Sequence, residues 1–275
     1  LVPIDGSDAA LRAVALSLTL AKLTAADLLF FHAADPAGGG ADEIFARARA
    51  EAADANVDAA CAYGQGPPVG AICDLLSAQR IDAIVMGARG TNRSPRFLGS
   101  TARGVLRRAV VPVFVLPAPA ALPDRLFRAI EVGFDDSPAA AAALALVLDL
   151  ATPSITRLIV ARCVDLQAEQ RVWSMTHEPR PMPLPNTRDA NLAALAAAAE
   201  RARRRGIEAE PILLAGSPAV RIVEMSRLHA VDLIALGACA PASSAIATDL
   251  AQAVICAALV PVVIVPAGEE TARRR

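Results

Sequence analysis

Three glycines and a Ser-Thr pair are gathered in one short stretch: Met86-Gly87-Ala88-Arg89-Gly90, a run from Thr91 to Leu98, then Gly99-Ser100-Thr101. Glycines let backbone N–H groups approach an anion closely, and a helix start offers unpaired N–H donors at the positive end of its dipole. Together these are the parts of a phosphate cradle, to which Arg89 would add a charge-assisted contact. Plainer readings stand beside this one. Ser100 and Thr101 also suit an ordinary N-cap, and Arg89 a solvated loop charge.

The flanking elements are of the kind that could position such a cradle. Ile81 to Val85 is an apolar run that reads as a buried strand, and Ala102 to Ala109 has helical spacing. Upstream, short apolar runs alternate with helical patterns, which argues for a parallel sheet covered by helices on both faces. The strands are expected at Leu1 to Ile4, Asp27 to His32, Val57 to Ala62, Asp82 to Met86 and Val113 to Leu116. Helices are expected at Asp8 to Leu23, Asp42 to Asp54, Pro68 to Arg80 and Ser100 to Ala109.

The pattern then repeats. Val2-Pro3-Ile4-Asp5-Gly6-Ser7 aligns with Val132-Gly133-Phe134-Asp135-Asp136-Ser137, and Gly66 to Ile72 with Gly216 to Ile222. The fold class is therefore α/β, with two tandem doubly wound domains. Residues 1–117 form the first, 118–127 a linker, 128–268 the second and 269–275 a tail. The linker's prolines, Pro117, Pro119 and Pro123, make an extended, fairly stiff segment the expectation. The second half also carries an insertion, Leu166 to Thr187, with Trp173, Met175 and a proline-rich run from Pro179 to Pro185. It reads as a surface excursion or as a lid or docking loop.

With 275 residues and a net charge of −1, composition shows no basic face for nucleic acid. The longest apolar runs, Ala139 to Leu148 and Ala253 to Val265, fall short of the ~20 residues a membrane-spanning helix needs. Neither a nucleic-acid nor a membrane partner is expected. Five scattered cysteines suit small core residues in a reducing compartment, so a cytoplasmic location is the expectation. His32, His177 and His229 share no metal-binding spacing. No Gly-Lys-Ser/Thr follows a strand, and the first turn is Asp5-Gly6-Ser7 rather than Gly-x-Gly-x-x-Gly, which argues against a P-loop ATPase and a dinucleotide dehydrogenase. With no general base identifiable, ATP hydrolysis would be slow at most.

A strand ending in Val-Pro-Ile-Asp-Gly-Ser, then Gly-x-x-Gly, a spacer, Gly-Ser before a helix and a Val-Pro-Val strand resembles the universal stress protein family, in its tandem two-domain form. The resemblance covers nearly the whole chain. It implies five-stranded parallel sheets of order 3-2-1-4-5 and, in the first repeat, ATP with or without Mg. On this reading Pro3, Ile4 and Asp5 lie beside the adenosine, with Asp5 bonding a ribose hydroxyl or base edge. His32 or Ala33 borders the adenine, and Met86 and Gly87 form the wall. Gly90, Gly99, Ser100 and Thr101 hold phosphates, with Arg89 adding charge. Asp5 also has a plain reading, as a shaper of the turn that Ser7 caps.

The spacer from Thr91 to Leu98 is one residue shorter than the family's usual one. In the second repeat Gly237-Ala238-Cys239-Ala240 lacks the second glycine, and Thr248-Asp249 stands where Gly99-Ser100 would be, setting a negative charge against an anion. Nucleotide is expected in the first repeat only, with a nucleotide-responsive regulatory role in stress. The alternative is a scaffold that binds protein partners and no nucleotide. Val113-Phe114-Val115 and Val262-Val263-Ile264 lie last in each sheet, where an edge needs covering. They suggest an internal pseudo-two-fold pairing of the repeats, with association of two chains into a homodimer as a further step.

Overall fold

A computed structural model describes residues 1–34, 40–89, 97–122, 125–164, 185–238 and 245–267. The first repeat runs β1 (Val2–Pro3), α1 (Asp8–Thr24), β2 (Leu28–Ala34), α2 (Ala41–Asp54), β3 (Ala59–Gln65), α3 (Pro68–Ala78), β4 (Ile84–Gly87), α4 (Ser100–Leu106) and β5 (Val113–Leu116). The second follows the same order: β6 (Ala129–Gly133), α5 (Pro138–Leu150), β7 (Arg157–Val164), α6 (Pro185–Arg203), β8 (Glu208–Ala215), α7 (Pro218–Leu228), β9 (Leu233–Ala238), α8 (Ala245–Ala257) and β10 (Val262–Pro266). Local chemistry starts the helices in matched ways. Ser7 Oγ accepts the Ala10 N–H at 3.2 Å and Ser137 Oγ the Ala140 N–H at 3.1 Å. Proline opens α3, α5 and α7, where its missing N–H has no intrahelical partner to lose.

Strands β8-β7-β6-β9-β10 are parallel, and β10 then pairs antiparallel with β5, which pairs parallel with β4. The remaining strands form a separate parallel sheet, β1-β2-β3. Between β1 and β4 the Val85 N–H donates to the Leu1 carbonyl at 2.8 Å, but no ladder follows. Pro3 is one cause, because it has no N–H to give to a rung. Its aligned residue Gly133 pairs with Leu236, and there the ladder is continuous.

The pairing of the two edge strands is present. Val262 lies opposite Val115, Val263 opposite Phe114 and Ile264 opposite Val113. All six side chains are at most 5% exposed. Burial of each is worth about 1.5–3 kcal/mol relative to exposure. The alternation of these side chains sends two cores, one on each face, through both repeats. Val85, Phe114 and Leu116 share one with Ile130, Val132 and Val263, while Ile84, Met86 and Val115 share the other with Ile234, Leu236 and Val262.

Several expectations need correction. The first repeat does not form one five-stranded sheet of order 3-2-1-4-5, because β1-β2-β3 is a sheet of its own while β4 and β5 join the sheet of the second repeat. The described residues of the linker, 118–122 and 125–127, turn and pack onto the protein where an extended, fairly stiff segment was expected. The Ala120 N–H closes a turn on the Pro117 carbonyl at 3.2 Å, and Ala120, Leu126 and Phe127 enter the core. Apolar side chains gain more from burial than proline stiffness can resist. The far end of the insertion, Pro185-Asn186-Thr187, belongs to α6. Residues 165–184 lie outside the described ones, as do the tail from 268, Arg93, Cys239 and Ala240. The four described cysteines are half-buried, and Cys61 and Cys256 pack against the edges of the two cores. Among the described residues no helix is long and apolar enough to cross a membrane.

Candidate functional site

Where the first sheet ends and strand order reverses between β1 and β4, an open cleft forms at the carboxyl ends of the strands. Open α/β sheets bind ligands at such a reversal. Pro3, Ile4 and Asp5 reach the cleft from the end of β1, and His32 and Ala33 from β2. Met86 and Gly87 come from β4, Arg89 from just beyond it, and Gly99, Ser100 and Thr101 from the start of α4. Every residue expected at the site is thus in one cleft except Gly90, which lies outside the described residues. Phe31, Pro68 and Ile72 also line it, together with Ala10 and Ala102, and these were missed. Their apolar types carry no chemical signal. Only the recurrence of the Gly66 to Ile72 segment in the second half marks any of them.

The polar groups divide by what already holds them. Asp5 is exposed, and its Oδ1 accepts both the Ser7 N–H at 3.0 Å and the Ser7 hydroxyl at 2.5 Å. It therefore shapes the turn as well as facing the cleft. His32 donates from Nδ1 to the Ile4 carbonyl at 2.7 Å, tying β2 to the end of β1. The Gly99 N–H is directed at the Ala88 carbonyl at 2.9 Å, which corrects its expected role as an anion donor. Gly99 instead caps α4 with no side-chain bond, and the first intrahelical bond is Arg103 N–H to the Gly99 carbonyl at 2.9 Å. The N–H groups of Ser100 and Thr101 precede that bond, at the helix end that favours anions. Arg89 donates Nε to the Phe97 carbonyl at 3.1 Å. With the Gly99–Ala88 bond, this joins the two ends of the shortened spacer close to the sheet.

Gly87 has a packing reason to be glycine. A Cβ there would lie 2.9 Å from the Ala9 carbonyl oxygen, where α1 crosses β4. Gly237 is tighter still, with a Cβ 2.3 Å from the Ala139 carbonyl carbon under α5. The second repeat also keeps the turn, since the Ser137 N–H donates to Asp135 at 3.0 Å and Asp136 takes the positive φ of Gly6. At its cleft mouth the differences are larger. Arg162, aligned with His32, pairs with Asp136 at 2.8 Å. Helix α8 begins at Ala245, so Asp249 is exposed one turn inside the helix, not at its start as the alignment suggested. With no glycine cap to end it, the helix runs back by a turn.

Two buried carboxyls lie away from the cleft. Asp232 accepts the N–H groups of Phe127, Arg128 and Ala129 at 2.9, 2.6 and 3.1 Å. Burial raises its pKa, and those bonds oppose the rise. Glu131 is wholly buried on β6 between Ile159 and Ile234, and neither carboxyl oxygen has a hydrogen-bond partner. Desolvation pushes its pKa up to about 8, so it is mostly neutral at pH 7. Among the described residues no group of three His, Cys, Asp or Glu could hold a metal ion.

A model of the Universal stress protein family matches residues 1–117 and 126–266. A universal stress protein from Archaeoglobus fulgidus DSM 4304 has a similar structure, with a TM-score of 0.68 and 20% identity over 97% of each chain. A functionally unknown protein from Pseudomonas aeruginosa PAO1 matches with a TM-score of 0.64 and 12% identity over 96% of this chain and 91% of that one. These likenesses are of fold. No curated protein matches significantly.

Proposed function

Because the chain belongs to the universal stress protein family, both repeats included, we propose that its first repeat binds an adenine nucleotide, ATP above all, and that its second repeat is a structural and regulatory partner. The observation that carries this reading is the junction of an apolar cleft with the start of α4, where no side chain takes up the first N–H groups. The Met86, Ile72 and Phe31 side would take the base, and the Ser100 and Thr101 donors the phosphates. Asp5, at the end of β1, is placed for a ribose hydroxyl. The donor set suits Mg only as an ion carried in on the phosphates, since Asp5 is the cleft's one carboxylate among the described residues. The chain would then act as a nucleotide-responsive sensor in the cytoplasm, with at most slow ATP hydrolysis.

Ser100→Pro is a discriminating test. Proline is tolerated at the first helical position, and the extended φ and ψ of Gly99, −59° and 151°, suit the residue before it. The substitution removes one N–H and one hydroxyl while keeping α4. Each charged hydrogen bond lost costs about 1.5–3 kcal/mol, so calorimetry should show affinity for ATP falling roughly ten- to a hundredfold. Unchanged binding would remove α4 from the site.

The internal bonds of Gly99, Arg89 and Asp5 favour a second reading, a scaffold that binds protein partners and no nucleotide. Native chain that takes up no ATP at millimolar concentration would support it. Adenine nucleotide released stoichiometrically from the purified protein would end it.

A further inference from the structure

We infer that Arg12 couples occupancy of the first-repeat cleft to the seating of the linker that leads into the second repeat. This rests on the nucleotide reading above and adds a route by which the bound state leaves the domain that holds it.

The route begins at the start of α1. Asp5 and Ala10 both line the cleft, and Ser7, held by Asp5, caps Ala10. The Ala9 carbonyl packs on Gly87 of the cleft wall. Arg12 follows on the same helix, within a turn of these residues. Its guanidinium donates Nη1 to the Ala118 carbonyl at 2.8 Å and Nη2 to the Ala120 carbonyl. Both acceptors lie in the turn that begins at Pro117, and Ala120 is 2% exposed. A planar fork on two carbonyls of one tight turn constrains direction as well as distance, so a shift of the helix start must be shared with the turn or break the fork.

The far end of the linker is gripped as well. Asp232, just before β9, accepts the three successive N–H groups of Phe127, Arg128 and Ala129, where β6 begins. Leu126 and Phe127 share a core with Val14 and Leu18 of α1. The linker thus hangs between an arginine fixed to the cleft of one repeat and a carboxylate fixed to the sheet of the other. The residue aligned with Arg12 in the second repeat is Ala142, which has no such reach.

Hydrogen–deuterium exchange on the full chain, with and without saturating ATP, tests this. ATP should slow exchange in residues 84–89 and 97–106 of the cleft, and in residues 117–130 of the linker by about fivefold or more, the low end of ordinary coupling between sites. Arg12→Ala should abolish the ATP-dependent slowing in the linker. By reciprocity it should weaken ATP binding by the same factor, although Arg12 does not line the cleft. Arg12→Lys keeps the charge and loses the fork, and should show the same loss if the alanine variant does not fold.

Cleft protection without linker protection overturns the coupling and leaves the nucleotide reading intact. Protection in neither segment overturns both. Linker slowing that persists in the variants, or faster linker exchange that does not depend on ATP, overturns the role of Arg12.

Discussion

The two repeats share some features and differ in others, and the division separates what the fold needs from what a cleft needs. Both keep an aspartate and a serine in the first turn, Asp5 with Ser7 and Asp135 with Ser137. Both keep glycine on the fourth strand, Gly87 and Gly237, beneath a helix backbone. At the corresponding end of the second repeat Arg162 pairs with Asp136, and no glycine directly precedes α8. Features common to both are structural first, and the Gly99-Ser100-Thr101 start is what distinguishes the repeat proposed to hold nucleotide.

The largest expected effect tests the shared glycines. Gly237→Ala should destabilise the protein by about 3 kcal/mol or more, and Gly87→Ala by about 1–3 kcal/mol, because the added Cβ overlaps α5 more closely than α1. Urea denaturation gives both values. A neutral Gly87→Ala that loses ATP would instead make this glycine a ligand residue and break the comparison.

Next comes Glu131, aligned with Leu1 of the first repeat. Its pKa is raised from 4.5 to about 8 in the folded chain. Above pH 4.5 the unfolded chain releases this proton while the folded chain retains it, so stability is full at low pH and declines as pH rises toward 8. The limiting slope is about 1.4 kcal/mol per pH unit. Glu131→Leu should remove this dependence and stabilise the protein at pH 8 by on the order of 3 kcal/mol, read from denaturation midpoints across pH. A native profile as flat as the variant's would show that water or movement relieves the carboxylate.

The smallest effect concerns the second mouth. Arg162→Ala breaks a partly exposed ion pair with Asp136 and should cost less than about 1 kcal/mol. Calorimetry should still find one ATP per chain. A second equivalent would mean that the ion pair alone closes the second cleft.

Much of the architecture was readable because it rests on local patterns. Val113–Leu116 has the bounds expected of it, and Ser7 caps α1 as its type suggests. Strand β3 was expected to stop at Ala62 but continues to Gln65. Apolar periodicity ends at Tyr63, whereas Gly64 is where Phe31 packs, 2.3 Å from a would-be Cβ. The cleft residues were legible through the glycines and the family resemblance. The reason for Gly87 was not, because it depends on the distant crossing of α1. Glu131 was equally hidden, since residue types do not show that β7 and β9 flank it and leave its carboxyl without a hydrogen-bond partner. The bond from Gly99 to Ala88 depends on the three-dimensional path of the spacer, which residue types do not encode.

The antiparallel seam between β5 and β10 has a consequence for stoichiometry. When partners are separate molecules, their pairing weakens on dilution, and identical partners bring identical clefts. Here a short tether holds the two edges at an effective concentration on the order of millimolar, whatever the amount of protein in the cell. Tethering also frees one half to diverge from the other without unpairing it, so every seam joins two different halves in a fixed one-to-one ratio.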